Sequence, residues 1–233
     1  MNTLSKTWSQ DPLRRELTLV GPMLLGFFAL LLTVLLWAPS PIDREFTTLV
    51  QALPAGTFGR LARLGSDVGG GVYGTLLLPA MAASWFAVRR QWKLLLLVAA
   101  AFALHYLLIS PKLLITANRP SPEFGVLGAG GLESFPSGHV QWAASFYGLM
   151  AYVMLGTART GRMRFAIAAT YALIVVLTMF GRIELGRHWL TDTVAGVLVG
   201  LIALRILILL HRWPVLDHAG ARLGAIFSRP SLR

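Results

Sequence analysis

Three short polar clusters interrupt an otherwise apolar chain. In chain order they are Lys112 with Arg119, then Ser137, Gly138 and His139, and then Arg182, His188 and Asp192. A charged residue among long apolar runs is energetically costly and therefore points to a functional site. Three cations, two histidines and one carboxylate are groups suited to binding a phosphate and breaking its ester bond.

The third cluster contains a histidine and a carboxylate four positions apart, which places both on one face of a helix. Asp192 can accept the Nδ1–H of His188, select that tautomer and stabilise the imidazolium that forms when Nε2 attacks. A histidine oriented in this way can be a covalent nucleophile. The alternative is a capping or pore-lining pair, and the pair taken alone favours that alternative.

The second cluster lies at the predicted start of a helix. A helix N-terminus presents unpaired N–H groups to an anion, and a glycine such as Gly138 lets the backbone approach closely. Ser137 can cap the helix and donate a hydrogen bond, and His139 can protonate a leaving oxygen as a general acid. The alternative is a plain N-cap with a surface histidine.

The three cations are the donors that a phosphoryl transition state needs. Arg119 and Arg182 each offer a planar fork for two oxygens, whereas Lys112 acts as a point charge. Interfacial cations that meet lipid headgroups would explain any one of them, but this alternative does not readily explain all three beside two histidines.

Composition indicates a single integral membrane domain. Of the 233 residues, 55% are hydrophobic and 13% charged, and the mean hydropathy is +0.65. The net charge of +11 comes from basic residues scattered between apolar runs, so anionic lipid headgroups rather than nucleic acid are the expected partners. No obligate protein partner is evident. The absence of cysteine excludes disulfides, thiolate metal sites and a cysteine nucleophile.

Six apolar segments predict an all-α, polytopic membrane protein with a six-transmembrane-helix bundle. They cover about 17–37, 72–88, 92–109, 138–155, 165–180 and 190–210. Segment 38–71 is too polar to span, and its loosely helical apolar spacing predicts short interfacial helices between helices one and two. A partly ordered loop is the alternative. Glycines 69–71 are interpreted as a flexible entry to helix two, since no GK[ST] follows them.

The distribution of Lys and Arg predicts the orientation. Thirteen of these residues fall in the N-terminus, the two turns on the same side and the C-terminal tail, against seven on the opposite side. The predicted layout is a cytoplasmic segment at 1–16, a membrane domain at 17–211 and a basic cytoplasmic tail at 212–233. All three clusters then emerge on the exterior or periplasmic face of a bacterial inner or plasma membrane.

The three clusters together resemble the signature of the type 2 phosphatidic acid phosphatase family, whose site is shared with vanadium-dependent haloperoxidases. The residues that carry the resemblance are Lys112-(six residues)-Arg119-Pro120, Pro136-Ser137-Gly138-His139 and Arg182-(five residues)-His188-(three residues)-Asp192. Family members often have Ser where this chain has Gly181, which is a minor departure. The motifs span roughly 80 residues, and the six-helix plan extends the similarity over most of the chain.

The resemblance implies a residue-by-residue assignment. His188 would attack phosphorus with Asp192 as its partner, and His139 would protonate the leaving group. The phosphate would be held by Lys112, Arg119, Ser137, Gly138 and Arg182. No metal and no cofactor is implied.

The implied activity is hydrolysis of a lipid phosphate or diphosphate, with undecaprenyl diphosphate as the leading candidate. Phosphatidylglycerophosphate, phosphatidic acid and lipid A phosphates are alternatives. An anion-conducting transporter or channel, and a haloperoxidase, are alternatives from other classes. His105 is predicted to pack within the bundle or to line the pocket, and Arg187 to contact a second phosphate or to cap a helix. Glu123 and Glu133 are predicted to select the headgroup or simply to be solvated. Trp142 and Trp189 are interpreted as interfacial anchors.

Overall fold

The computed structural model describes residues 12–53, 56–121, 124 and 133–228. Its α-helices are α1 (Pro12–Trp37), α2 (Pro41–Gln51), α3 (Thr57–Gly69), α4 (Leu78–Val88), α5 (Trp92–Ile109), α6 (Gly138–Trp142), α7 (Gly148–Thr157), α8 (Gly161–Glu184), α9 (Leu190–Arg212) and α10 (Pro214–Ser228). A π-helical turn precedes α4 (Tyr73–Leu77), another joins α6 to α7 (Ala143–Tyr147), and a 3-10 turn follows α5 (Ser110–Leu114). The all-α prediction is confirmed for the described residues.

The helices account for the predicted spans. Among the described residues, four helices are long and apolar enough to cross a membrane, namely Thr18–Trp37, Trp92–Leu114, Gly161–Glu184 and Leu190–Arg212. The bent pair Thr57–Gly69 and Tyr73–Val88 could form one further span, with a bend of 40°. The predicted fourth segment is present as α6, the π-helical turn and α7 in succession. The protein is therefore an integral membrane protein, and six is an approximate count of its spans.

Helix α9 lies at the centre of the bundle and packs against α1, α5 and α6. Small residues on α9 allow the close approach of α6, as is common between membrane helices. A Cβ at Gly196 would lie 2.7 Å from the Ser137 carbonyl oxygen, and one at Gly200 would lie 2.6 Å from the Gln141 carbonyl oxygen. This contact places the second motif against the first turns of α9, which carry Asp192.

The described residues of segment 38–71 form α2 and α3, so the predicted short helices are present. Their interfacial placement stays a prediction. Ser40 caps α2 in a reciprocal capping box with Asp43. Helix α3 lies lengthwise against α8, because a Cβ at Gly65 would meet the Leu177 backbone and one at Gly181 the Ala62 carbonyl. Helix α3 therefore packs against the end of α8 that carries Arg182.

The two tryptophans interpreted as interfacial anchors are buried, so that interpretation is wrong. The indole Nε1 of Trp142 donates to the Gly74 carbonyl at 2.7 Å, and that of Trp189 donates to the Asn118 carbonyl at 2.9 Å. Because a buried indole needs an acceptor, each tryptophan joins two segments distant in sequence. The Trp142 ring stacks on Phe146 with centroids 4.9 Å apart, within the main apolar core.

The predicted C-terminal tail contains a helix, α10, which packs against the start of α5. Lys93 and Asp217 form an ion pair at 2.6 Å, and the rings of Trp92 and Phe227 stack with centroids 4.9 Å apart. The domain boundaries themselves stay predictions.

Candidate active site

His188 and Asp192 lie at the N-terminal end of α9, and both side chains are buried. The His188 Nδ1 is 3.4 Å from the Asp192 Oδ2. The same carboxylate oxygen accepts the backbone N–H of Trp189 at 2.8 Å, which caps the helix, and the hydroxyl of Ser134. Asp192 is thus held from two directions before any substrate binds.

Ser134 was not identified from the sequence. Its buried Oγ also lies 3.5 Å from the His188 Nδ1. Because the Ser134 hydroxyl donates to Asp192, both oxygens near Nδ1 act as acceptors, so Nδ1 carries the ring hydrogen. The lone pair is therefore on Nε2, the nitrogen that a nucleophilic histidine uses.

The pKa of His188 lies well below its usual range. Burial is the largest cause, and the charges of Arg182, Arg119 and Lys112 lower it further. Since a protonated imidazole has no lone pair to attack with, this environment keeps the ring in its nucleophilic form. All three predicted cations therefore lie near enough to act on this histidine.

We expect His188 to remain neutral when the pH falls below about 6.5, where an unperturbed histidine takes up a proton. Nitrogen-15 NMR of histidine-labelled, substrate-free protein would follow its ring, with His188→Asn to assign the signal. The denatured protein is the control, because its histidines titrate near the unperturbed value. A His188 signal that titrates at or above that value would contradict the expectation.

The guanidinium of Arg119 is held by backbone carbonyls. Its Nη1 donates to Arg187 at 2.8 Å and its Nη2 to Glu133 at 3.2 Å. Burial is the main cause that lowers the pKa of Arg119. Arg187 and Glu133 therefore contribute main-chain atoms that position Arg119, which is a role the sequence did not suggest.

Two buried donors in the cluster have no hydrogen-bond partner among the described residues. They are the Oγ of Ser137 and the Nε of Arg182. Ser137 occupies the N-cap position of α6, but the predicted side-chain capping bond is not made. The other side of the Arg182 guanidinium is anchored, since Nη1 donates to the Ser66 Oγ of α3 at 3.1 Å. Buried donors left unpaired are unfavourable unless an anion completes them.

The imidazole of His139 packs against the glycine-rich turn after α3. A Cβ at Gly70 would overlap the ring atoms of His139, and one at Gly69 would overlap Thr178. These glycines are required for close packing, so their interpretation as a merely flexible entry to helix two was incomplete. Lys112 is half-buried in the 3-10 turn that follows α5.

The family model of the PAP2 superfamily matches residues 90–215, a range that contains all three polar clusters. The chain belongs to the PAP2 superfamily. The resemblance inferred from the motifs is therefore confirmed.

Individual relatives agree with this family. The chain is 31% identical over 130 residues to "Phosphatidylglycerophosphatase B" of Bacillus subtilis, a match that covers 54% of this chain and 62% of that protein. Its fold is similar to the crystal structure of a transmembrane PAP2-type phosphatidylglycerolphosphate phosphatase from Bacillus subtilis. That likeness has a TM-score of 0.70 and 23% identity, and covers 81% of this chain and 93% of the other. Aquifex aeolicus LpxE is similar with a TM-score of 0.51 and 24% identity, covering 74% and 98%.

One minor assignment is resolved within this PAP2 fold. His105 is buried, its Nδ1 bonds to the Gln141 Oε1, and its ring lies edge-on to Trp142 with centroids 5.1 Å apart. His105 is therefore a packing element behind α6, which is the first of the two roles predicted for it. Glu123 lies outside the described residues.

Helix α2 ties the PAP2 motifs together through residues that sequence reasoning missed. The buried Asp43 carboxylate accepts the Thr191 N–H at 2.9 Å and the Thr191 hydroxyl at 3.1 Å. The Gln51 Nε2 donates to the Phe124 carbonyl at 2.5 Å and to the Glu184 carbonyl at 3.3 Å. The Ser-x-x-Asp pattern of the α2 capping box was the available sequence signal for Asp43.

Asp43→Ala is expected to lower the free energy of unfolding by about 1–3 kcal/mol, because it leaves the buried donors of Ser40 and the partly buried donors of Thr191 unpaired. Thermal unfolding of the purified protein would measure this loss. Glu45→Ala is the matched control, since Glu45 is an exposed acidic residue of the same helix. Equal melting temperatures for the two variants would contradict the expected role of Asp43.

Proposed function

We propose that this protein is a membrane lipid phosphatase that works through a phosphohistidine intermediate. The observation that carries the proposal is the buried His188, whose Nδ1 faces Asp192 and Ser134 and whose Nε2 is left to attack. A buried nucleophile beside cationic donors matches the requirements of phosphoryl transfer.

The proposed first step places the phosphate oxygens on Lys112, Arg119, Arg182, the Ser137 hydroxyl and the Gly138 N–H. The His188 Nε2 then bonds to phosphorus while the phosphorus–oxygen bond to the lipid breaks. The negative charge of the bound phosphate favours the protonated form of His139, which donates its proton to the departing oxygen. Asp192 stabilises the imidazolium that develops on His188.

The proposed second step regenerates the enzyme. His139, now neutral, takes a proton from a water whose oxygen attacks phosphorus. The phosphorus–nitrogen bond breaks and inorganic phosphate is released. The three cations hold the charge of the equatorial oxygens in both steps.

Undecaprenyl diphosphate remains the leading substrate candidate from the sequence. The name of the Bacillus subtilis relative supports phosphatidylglycerophosphate as a second candidate. Both are lipids with a terminal phosphate, and both would bring that phosphate to the ends of membrane helices.

A phosphate-release assay tests the proposal. Purified protein is incubated with undecaprenyl diphosphate, phosphatidylglycerophosphate, phosphatidic acid and lipid A, with His188→Ala as the control. Activity is expected to persist in EDTA, since no metal is proposed. If no lipid is hydrolysed and anion flux through proteoliposomes is found instead, the transporter alternative is correct. Activation rather than inhibition by vanadate would support the haloperoxidase alternative.

The proposed orientation places both termini in the cytoplasm and the site on the exterior face. The distribution of Lys and Arg supports it, with thirteen residues on the proposed cytoplasmic side and seven on the other. A reporter fused after Arg233 is expected to report a cytoplasmic location, and an external reporter would reverse the proposed topology.

Gly70→Ala is expected to reduce kcat about 10- to 100-fold, because the added methyl displaces the His139 ring from the proposed leaving oxygen. Steady-state phosphate release measures the loss. Gly161→Ala is the control, since its added Cβ would have open space around it. If Gly70→Ala leaves kcat unchanged, Gly70 does not position His139 for catalysis.

A further inference from the structure

A mostly apolar cavity with several basic side chains in its wall lies at the other end of the helix bundle. It is open, has a volume of about 690 Å³, and is lined by Lys93, Arg164, His211, Tyr152, Leu94 and Val153 among others. It combines basic side chains with an aliphatic and aromatic wall. None of these residues belongs to the three motif clusters.

The cavity and the active site lie a membrane thickness apart. Three helices carry a residue of each site at opposite ends: Lys93 and Lys112 on α5 with its 3-10 extension, Arg164 and Arg182 on α8, and His211 and Asp192 on α9. At about 1.5 Å per residue, each pair is separated by roughly 27–30 Å. This distance matches the hydrocarbon core of about 30 Å, so the cavity lies at headgroup level on the opposite face.

The polar groups of the cavity are held in place but retain donors for a ligand. The Lys93 ammonium has three donors and contacts the Asp217 Oδ1 at 2.6 Å. The Arg164 Nη1 donates to the Leu155 carbonyl at 3.2 Å, which orients the rest of its guanidinium. The Tyr152 hydroxyl lies 3.0 Å from the His211 Nδ1.

The surroundings favour an anion. The lining residues Lys93, Arg164 and His211 belong to segments 88–93, 155–164 and 205–222, which carry three Lys or Arg residues each and Asp217 as their one carboxylate. Because a basic pocket at headgroup level beside aliphatic side chains matches both parts of a phospholipid, the ligand chemistry is a phosphate attached to an acyl chain.

We propose that this cavity binds an anionic phospholipid of the leaflet opposite the active site. Its phosphate contacts Lys93 and Arg164, and its glycerol and first methylenes lie against Leu94 and Val153. The lipid bridges the starts of α5 and α8 to the end of α9, so its binding stabilises the folded bundle.

A thermal-unfolding titration in detergent tests the proposal. Phosphatidylglycerol is expected to raise the Tm of the protein more than phosphatidylcholine does, because a ligand that binds the folded state stabilises it. The Lys93→Gln/Arg164→Gln variant is expected to lose most of this rise. Arg159→Gln/Arg162→Gln is the matched control: it removes the same charge from exposed positions near the same turn, and it is expected to keep the rise.

A soluble headgroup distinguishes a lipid site from an anion site. Glycerol phosphate is expected to shift wild type and the Lys93→Gln/Arg164→Gln variant equally. If glycerol phosphate raises the Tm of wild type but not that of this variant, the cavity binds a soluble anion and the lipid proposal is wrong. If phosphatidylglycerol raises the Tm of both double variants equally, Lys93 and Arg164 do not form a lipid site.

A second measurement needs no variant. A photoreactive phosphatidylglycerol in nanodiscs is expected to label peptides from 152–164 of the wild-type protein, as read by mass spectrometry. Labelling confined to other segments would overturn the proposal. Neither experiment measures catalysis, so their outcome is independent of the proposed phosphatase activity.

Discussion

His188→Ala is expected to lower phosphate release by about 10⁴-fold or more, because the variant has no nucleophile to form the covalent intermediate. A matched single-turnover experiment with radiolabelled lipid phosphate would follow the protein-bound label. Wild type is expected to yield a label that is stable to alkali and lost in acid, as a phosphoimidazole is. The variant is expected to yield none.

Two controls separate chemistry from folding in this experiment. His218→Ala removes an exposed histidine of α10 and is expected to keep full activity. Thermal unfolding of His188→Ala shows whether the loss of a buried side chain has destabilised the bundle. A folded His188→Ala protein that keeps more than about 1% of the activity would assign the nucleophile to another residue.

Asp192→Asn is expected to lower kcat by about 10³- to 10⁴-fold with a smaller change in KM. The neutral amide cannot stabilise the imidazolium on His188 as a carboxylate does. Steady-state kinetics on the preferred lipid measures the two constants. The amide oxygen can still accept the Trp189 N–H, so the helix cap of α9 is retained.

The matched control for Asp192→Asn is Asp217→Asn, which removes a carboxylate at the opposite end of the bundle. It is expected to leave kcat unchanged. Ser134→Ala tests the second holder of the carboxylate and is expected to lose less activity than Asp192→Asn, because Trp189 still holds the Asp192 oxygen. A Ser134→Ala loss as large as that of Asp192→Asn would make Ser134 an equal partner of His188.

Motif spacing and helix periodicity carry a local signal for part of the candidate site. His188 and Asp192 are four positions apart, so their proximity follows from helix geometry alone. The apolar runs predicted the spans for the same local reason, because a membrane segment must be continuous and helical. The alternation of spans also predicted that the three clusters meet at one end of the bundle.

The sequence misassigned residues whose environment depends on distant segments. Trp142 and Trp189 have the composition of interfacial anchors, yet both are buried with their N–H groups on remote carbonyls. Ser137 has the sequence position of a helix cap, yet its hydroxyl makes no capping bond. For the two tryptophans a tertiary contact replaced the interaction that local sequence favoured, whereas the Ser137 hydroxyl has no partner among the described residues.

The amino-acid sequence by itself indicated the membrane class and the approximate helical spans, since both follow from local hydrophobicity. It also proposed the eight motif residues, through their resemblance to a family signature. Only the tertiary structure decided how those residues are held. Ser134 reaches Asp192 across 58 positions, Ser66 reaches Arg182 across 116, and Asp43 reaches Thr191 across 148. Contacts of such separation depend on which helices become neighbours, and a single sequence carries no local pattern for that choice.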